Sequence, residues 1–242
     1  MSKGIALGIV GGVRVVVGVS WLVVLPMVAI GMFVAIDPEL GSMPVRILVA
    51  SGGSLLVWAS IFVHELGHVT VALRLGIAVK RVGIFILGGF SEMDLDAAGF
   101  EHEWRVAAAG PIASGALGVV LVVGGFALPA AGGLASTFVR LAMINGGVAV
   151  FNLLPAFPLD GGRMLRASLM RRGNSSLEAV LTASRTGLAV GGAIITVGMI
   201  MSLVGALASL VVVSAGLLIV VLTRTHFSDI LKKSNTPPLR SR

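Results

Sequence analysis

Long runs without a charged residue dominate this chain, and the sparse charges between them mark the ends of hydrophobic segments. An unpaired charge at the centre of a bilayer is costly, so such runs predict transmembrane helices. Two runs are too long for one crossing: 34 uncharged residues from Val106 to Val139 and 38 from Thr186 to Thr223. The first would be about 51 Å long as a helix, whereas the hydrocarbon core of a bilayer is about 30 Å thick. Each run therefore predicts two spans.

The pattern predicts an all-α polytopic membrane protein with about six transmembrane helices and a short membrane-associated β-hairpin or sheet. The predicted spans are the segments near 19–36, 46–74, 105–128, 135–155, 184–203 and 207–223. Residues 1–18 are predicted to be an N-terminal interfacial strand segment, and 224–242 a disordered cytoplasmic tail. Residues 78–100 alternate β-branched and aromatic residues around Gly88-Gly89, which predicts the hairpin.

Composition supports a membrane protein. Of 242 residues, 56% are apolar and 12% are charged, and the mean hydropathy is +1.03. An ordinary soluble domain carries about 25% charged residues. The chain contains no cysteine, which excludes disulfides, zinc-thiolate sites and cysteine nucleophiles. Six spans leave no room for a large soluble domain.

The distribution of Lys and Arg predicts the orientation of the spans. One set of connections, near residues 37–39, 129–136 and 202–208, contains neither. The other set holds the basic residues Lys3, Arg74, Lys80, Arg81, Arg163, Arg166, Arg171, Arg172, Lys232 and Lys233. We expect a multi-pass membrane protein with both termini in the cytoplasm, and Arg140 as an exception that snorkels to the outer interface. The net charge of +7 is then explained by topology and lipid headgroups, with no nucleic-acid site.

The second predicted span contains His64-Glu65-Leu66-Gly67-His68. Two His four residues apart lie one turn apart on the same face of a helix, where they can bind one zinc ion, and the adjacent Glu can act as a general base. Three ionisable groups in five residues of a membrane helix are costly unless they meet one another or a metal. The alternative is a polar helix end near the cytoplasmic surface.

A catalytic zinc site typically needs a third protein ligand. The candidates are Asp160, Glu92, Asp94, Asp96, Glu101, His102, Glu103 and Glu178. Most lie in polar stretches, where we expect solvated side chains. Asp160 differs because it follows two prolines and precedes Gly161-Gly162, and a backbone broken at membrane depth is tolerated where it lines a cavity. Its alternative role is to cap the cytoplasmic helix that follows it.

These residues resemble the site-2 protease family of intramembrane zinc metalloproteases. HELGH is followed by an N-x-x-P-x-x-x-L-D-G pattern, which here comprises Asn152, Pro155, Leu159, Asp160 and Gly161. Weaker similarities are Arg14 with Trp21, the Gly88-Gly89 hairpin, and Ala109-Gly110-Pro111. Some members carry PDZ or CBS domains, for which this chain has no room, so it resembles a minimal catalytic core.

The resemblance implies one Zn²⁺ per chain held by His64, His68 and Asp160. Glu65 would be the catalytic base, and Asn152 a polar active-site residue that positions substrate or stabilises the oxyanion. The expected function is hydrolysis of a peptide bond within or beside the transmembrane segment of a membrane-anchored protein. The implied partners are such substrates, the lipid bilayer and regulators that the sequence does not identify.

Three alternatives stay open from the sequence. A membrane metal-ion transporter would also place His and carboxylates in mid-membrane, although along a pathway rather than at one site. Asn145 is either a helix-to-helix hydrogen-bonding residue or a second active-site residue. The strand near Val82–Phe90 is either an edge on which an extended substrate pairs or a purely structural hairpin.

Overall fold

The computed structural model of the chain describes residues 4–10, 12–19, 21–36, 41–85, 88–93, 99–128, 134–205 and 208–234. The strands in this part of the chain are β1 (Gly4–Val10), β2 (Val13–Gly18), β3 (Val79–Phe85) and β4 (Gly88–Met93). The helices are α1 (Trp21–Ala35), α2 (Met43–Arg74), α3 (Phe100–Ala127), α4 (Leu134–Leu153), α5 (Asp160–Arg171), α6 (Ser176–Leu203) and α7 (Ser209–Ser234).

Five helices in the described residues are long and apolar enough to cross a membrane: α2, α3, α4, α6 and α7. The prediction of an all-α polytopic membrane protein with a small sheet is confirmed. The first predicted span corresponds to α1, whose 15 residues give a helix of about 22 Å, shorter than the hydrocarbon core. The chain divides into two compact units, Met1–Phe151 and Asn152–Arg242.

The first unit contains a four-stranded sheet with the order β1-β2-β3-β4. β1 and β2 are antiparallel, β2 and β3 are parallel, and β3 and β4 are antiparallel. The predicted N-terminal strand segment thus holds two strands, and the second joins the hairpin. The segment near Val82–Phe90, predicted as a possible edge, contains most of β3, which is paired on both sides, and the first residues of β4, which is the edge strand on this side of the sheet in the described residues.

The sheet packs against α2 and α3 through a buried apolar cluster. Val13 and Val15 of β2, Val82 of β3, Val69 of α2 and Val106 of α3 all belong to it. β-branched side chains suit a half-buried pleated surface, which explains why these valine-rich segments form strands beside the helices. This packing places the sheet against the part of α2 that contains the histidine motif.

The second unit begins with the last two residues of α4, which ends at Leu153, and the chain then leaves the helix before α5 begins at Asp160. The connection contains a cis peptide bond between Phe157 and Pro158. α6 and α7 pack closely, since a Cβ added at Gly216 would lie 2.8 Å from the Gly191 carbonyl oxygen. Small residues at such contacts allow two membrane helices to approach each other.

The tail differs from the prediction. α7 continues through Ser234, so the prediction of a disordered segment from residue 224 is wrong as far as Ser234. The apolar run of this helix ends at Arg224, and the polar residues after it continue the same helix. Residues 235–242 lie outside the described part of the chain.

Candidate active site

His64 and His68 lie on one face of α2, and both are buried together with Glu65 between them. The two imidazole rings are 5.0 Å apart between centroids, with an angle of 79° between their planes. One potential ligand atom from each of the three residues lies within 4.8 Å of the others. The structure therefore brings together the three ionisable groups of the sequence motif, as the helical spacing predicts.

α3 fixes the orientation of both imidazoles. His68 Nδ1 donates a hydrogen bond to the Val106 carbonyl oxygen at 2.7 Å, and His64 Nδ1 lies 2.9 Å from Ser114 Oγ. A carbonyl oxygen only accepts, so neutral His68 carries its proton on Nδ1 and its lone pair on Nε2. A hydroxyl that accepts from His64 Nδ1 gives the same tautomer there. Partners of this kind set the ring orientation and basicity of metal-ligating histidines.

The Nε2 atoms of the two histidines converge on Gly110. A Cβ added at Gly110 would lie 2.6 Å from His64 Nε2 and closer still to His68 Nε2. Only a residue without a side chain leaves the space in front of both nitrogen atoms open. Two neutral imidazoles aimed at one point, with a carboxylate beside them, form a donor set that fits a metal ion such as zinc.

Gly67 also allows α2 and α3 to pack closely against each other. A Cβ added at Gly67 would lie 2.7 Å from the Ala109 carbonyl oxygen and 3.0 Å from Ala113 Cβ. The glycine inside the HELGH sequence thus packs α2 directly on the backbone of α3. Since Val106, Gly110 and Ser114 are four residues apart, they lie along the face of α3 that α2 contacts.

Asp160 and Asn152 belong to the second unit. Asp160 is buried and is the first residue of α5, with Leu159 in the N-cap position, so its predicted alternative role as the N-cap residue is wrong. Asn152 is half-buried in the last turn of α4. Their assignments as metal ligand and active-site residue stay predictions.

The backbone around Asp160 is tightly packed. A Cβ added at Gly161 would collide with the carbonyl oxygens of Leu153 and Leu154, and one at Gly162 would collide with the backbone nitrogen of Phe157. The first turn of α5 therefore packs directly on the non-helical segment before it. The two glycines that follow Asp160 in the sequence permit this contact.

The other predicted third-ligand candidates occupy varied environments. Glu178 is exposed and forms a capping box with Ser175 at the start of α6, which gives it a structural role. Glu101 is exposed and His102 is half-buried, whereas Glu103 is buried, so the expectation of a solvated side chain is wrong for Glu103. Asp94, Asp96 and the side chain of Glu92 lie outside what the structure describes.

Asn145 is almost fully buried in α4, and its side-chain amide donates to the Leu141 carbonyl oxygen of the same helix at 2.9 Å. This bond lies within α4, and the choice between the two roles considered for Asn145 stays a prediction.

Sequence reasoning missed the second helix of the histidine site. Ser114, the Val106 carbonyl and the contact with Gly110 were not predicted as site features. The available signal was the run of small residues from Ala107 to Gly115, which is typical of close helix packing in membranes. The run does not indicate which helix packs there, because its partner lies about 40 residues earlier in the chain.

The contact at Gly110 predicts the effect of adding one methyl group. Gly110→Ala should reduce bound zinc from about one ion per chain to nearly none, because the new Cβ occupies the space in front of both Nε2 atoms. Zinc would be measured by elemental analysis of the purified protein. Gly115→Ala is the matched control, since no atom lies within 4 Å of a Cβ there. Full zinc retention in Gly110→Ala would show that the nitrogen atoms do not bind metal at this place.

The hydrogen bond between His64 and Ser114 predicts a smaller effect on zinc binding. Ser114→Ala should weaken zinc binding by about 10–100-fold, because His64 loses the partner that orients its ring. Competition with a chelator measures the affinity. Ser54→Ala is the control, since the buried Ser54 hydroxyl bonds only to the Ser51 carbonyl of its own helix among the contacts described. Equal affinity of the Ser114 variant and the parent would contradict this role.

Comparison with known proteins agrees with this geometry. The model of Peptidase family M50 matches residues 52–130 and 127–198. The chain is 34% identical over 206 residues to the putative zinc metalloprotease Rip3 of Mycobacterium tuberculosis, which covers 82% of this chain and 52% of Rip3. A putative zinc metalloprotease of Synechocystis is 33% identical over 201 residues, with the same coverage. The chain thus spans about half the length of these curated relatives.

A solved structure shows the same fold. The site-2 protease from Methanocaldococcus jannaschii matches with a TM-score of 0.64 and covers 99% of both chains at 23% identity. With its long apolar helices, the chain is an integral membrane protein. Since the family model covers more than half of its residues, including the histidine motif and Asp160, this chain belongs to peptidase family M50.

Proposed function

We propose that this chain is an intramembrane zinc metalloendopeptidase that hydrolyses a peptide bond within or beside the transmembrane segment of a membrane-anchored protein. The observation that carries the proposal is the convergence of His64 Nε2 and His68 Nε2 on Gly110, with the buried Glu65 beside them. Membership of family M50 and the zinc metalloproteases among its relatives support the same reaction.

Asp160 is our proposed third ligand. A buried carboxylate in a membrane protein is costly unless a cation or several donors compensate its charge. Asp160 is only 6% exposed, and the two glycines after it fix the start of its helix against the preceding segment. Together with the two histidines it would form a three-ligand site that leaves one position open for reaction.

The reaction needs a metal and a base. When bound, zinc supplies Lewis-acid chemistry, since it acidifies water and polarises the scissile carbonyl. Glu65 would accept a proton from the attacking water while the new carbon–oxygen bond forms. It would then donate that proton to the nitrogen of the leaving amine as the carbon–nitrogen bond breaks.

Substrate binding requires local unwinding, because a helix hides its carbonyl groups in internal hydrogen bonds. β4 is an edge strand of the sheet that packs on α2, so we place pairing with the unwound substrate there. Asn152 is our proposed residue for positioning that substrate or stabilising the oxyanion. The substrate class is membrane-anchored protein, with lipid as the surrounding solvent.

The basic connections support a position of the chemistry near one side of the bilayer. His64 and His68 lie near the C-terminal end of α2, which ends at Arg74. We propose that this end faces the cytoplasm of a prokaryotic cell, that both termini lie there, and that water enters from that side. A metal-ion transporter has no support from the family match, and the convergence of the donors on one point differs from ligands spread along a pathway.

Glu65→Gln tests the base. It should retain zinc and lower the cleavage rate by about 10²–10⁴-fold, because the amide cannot accept the proton of water. Cleavage of a set of single-span membrane proteins in reconstituted vesicles would be followed by mass spectrometry. Glu101→Gln is the control because Glu101 is exposed at the start of α3. Turnover at the parent rate in Glu65→Gln would remove the assigned base.

Asp160→Asn tests the third ligand without knowledge of the substrate. It should weaken zinc binding by at least about 10-fold, because a neutral amide replaces a charged ligand. Zinc affinity would be measured by chelator competition beside Glu178→Gln, which removes an exposed carboxylate but preserves the capping box. Parent affinity in Asp160→Asn would assign the third ligand to another residue, with the buried Glu103 as the next candidate.

A further inference from the structure

The segment between α4 and α5 is not helical, so helical hydrogen bonds do not pair its backbone N–H and C=O groups. Ala156 is fully buried and Phe157 is 7% exposed, and the chain here lies between two helices of a membrane protein. Where water is scarce, each backbone polar group needs a partner within the protein. The Phe157 carbonyl oxygen finds one in Thr223 of α7, whose hydroxyl donates to it at 2.8 Å.

Thr223 differs from other threonines in the same unit. The hydroxyls of Thr186 and Thr196 donate to carbonyl oxygens four residues earlier in their own helix, and both residues are exposed or partly exposed. Thr223 is 1% exposed, and its hydroxyl reaches a carbonyl 66 residues earlier in the chain. A buried hydroxyl used in this way links two distant segments.

Neighbouring contacts reinforce this link. A Cβ added at Gly187 of α6 would lie 3.0 Å from Thr223 Oγ1 and 3.1 Å from Ala156 Cα, so α6, α7 and the segment meet at this point. One turn beyond Thr223, the His226 ring contacts the Phe157 ring edge to face, with centroids 5.0 Å apart. α7 therefore contacts Phe157 at its carbonyl and at its ring.

The same segment supports the first turn of α5. Gly162 packs on the backbone of Ala156 and Phe157, and the Leu159 amide donates to the Ala156 carbonyl oxygen at 2.8 Å. Asp160 follows Leu159 directly. A shift of Phe157 would thus move the residues that hold the start of the helix and the carboxylate on it.

We propose that Thr223 is a positioning residue for Asp160. Its hydroxyl anchors the Phe157 carbonyl, and through the packed backbone of 156–162 it sets where the Asp160 carboxylate lies. The inference rests on the proposed function, because it takes Asp160 as a metal ligand. It assigns a role in the metal site to α7, which lies beyond the residues matched by the family model.

The test compares zinc affinity in Thr223→Val and Thr223→Ser. Valine keeps the shape and removes the donor, so we expect zinc affinity to fall by about 10-fold, as for other supporting partners of metal ligands. Serine keeps the donor and should restore the parent affinity. The full-length protein in detergent is used, with chelator competition for zinc. The visible spectrum of bound Co²⁺ reports the ligand geometry directly.

Thr196→Val is the matched control, because that threonine bonds only within its own helix among the contacts described. Its zinc affinity and Co²⁺ spectrum should equal those of the parent. A merely structural role of Thr223 would lower the thermal stability of the valine variant but leave its Co²⁺ spectrum unchanged. If Thr223→Val does not fold, Thr223→Ala is compared with Thr223→Ser, since both lack the methyl group and only one keeps the hydroxyl.

Asp160→Asn measured in parallel separates the two proposals. Weak zinc binding in Asp160→Asn with parent affinity in Thr223→Val would overturn the role of Thr223 and leave the ligand set standing. Parent affinity in Asp160→Asn would overturn the ligand set and the inference with it. Weak binding in both variants, restored by Thr223→Ser, is the expected result.

Discussion

The close approach of α3 to α2 is the contact on which the histidine site depends. Gly67 of α2 lies against the backbone of α3, and Gly110 of α3 lies against the two imidazoles. In a membrane, helix association relies on van der Waals packing and interhelical hydrogen bonds, so small residues matter at such contacts. At this separation the Val106 carbonyl and the Ser114 hydroxyl can reach the Nδ1 atoms of the histidines. The packing that stabilises the helix pair also orients its metal-binding groups.

The cost of buried polar groups explains much of the remaining arrangement. His64, Glu65, His68 and Asp160 are all buried, in a protein in which only 12% of the residues are charged. The Nδ1 atoms of both histidines have hydrogen-bond partners on α3, which offsets the free-energy cost of burying them. In the non-helical segment before α5, the Thr223 hydroxyl offsets part of the cost of burial by donating a hydrogen bond to the Phe157 carbonyl oxygen. The ligand atoms of His64, Glu65 and His68 lie within 4.8 Å of one another, and a zinc ion there would compensate the charge of the Glu65 carboxylate.

The two units carry different parts of the proposed chemistry. The first contains the histidines, Glu65 and the sheet with β4 at its edge, whereas the second contains Asp160 and Asn152. Membership of family M50 explains why such residues occur together in one chain. The site-2 protease structure shares the fold at 23% identity, so the architecture is shared although most residues differ.

The sequence by itself determined the features that depend on local spacing. Apolar runs located the long helices, because the free-energy cost of burying one charge in a bilayer exceeds most local conformational preferences. The four-residue spacing of His64 and His68 placed them on one helix face, and the prolines before Asp160 located the break in the chain. Local polarity misled the prediction at Glu103, which is buried, and at residues 224–234, which continue α7.

Only the tertiary structure decided which distant residues meet. The hydrogen bond between His64 and Ser114 joins positions 50 residues apart, and the one between Thr223 and Phe157 joins positions 66 residues apart. A serine or threonine in an apolar helix has the same sequence signature whether it bonds its own backbone, as Thr196 does, or reaches another helix. The parallel pairing of β2 with β3 likewise joins segments that no local pattern connects. Helical periodicity fixes the face on which a side chain lies, but packing decides what that face contacts.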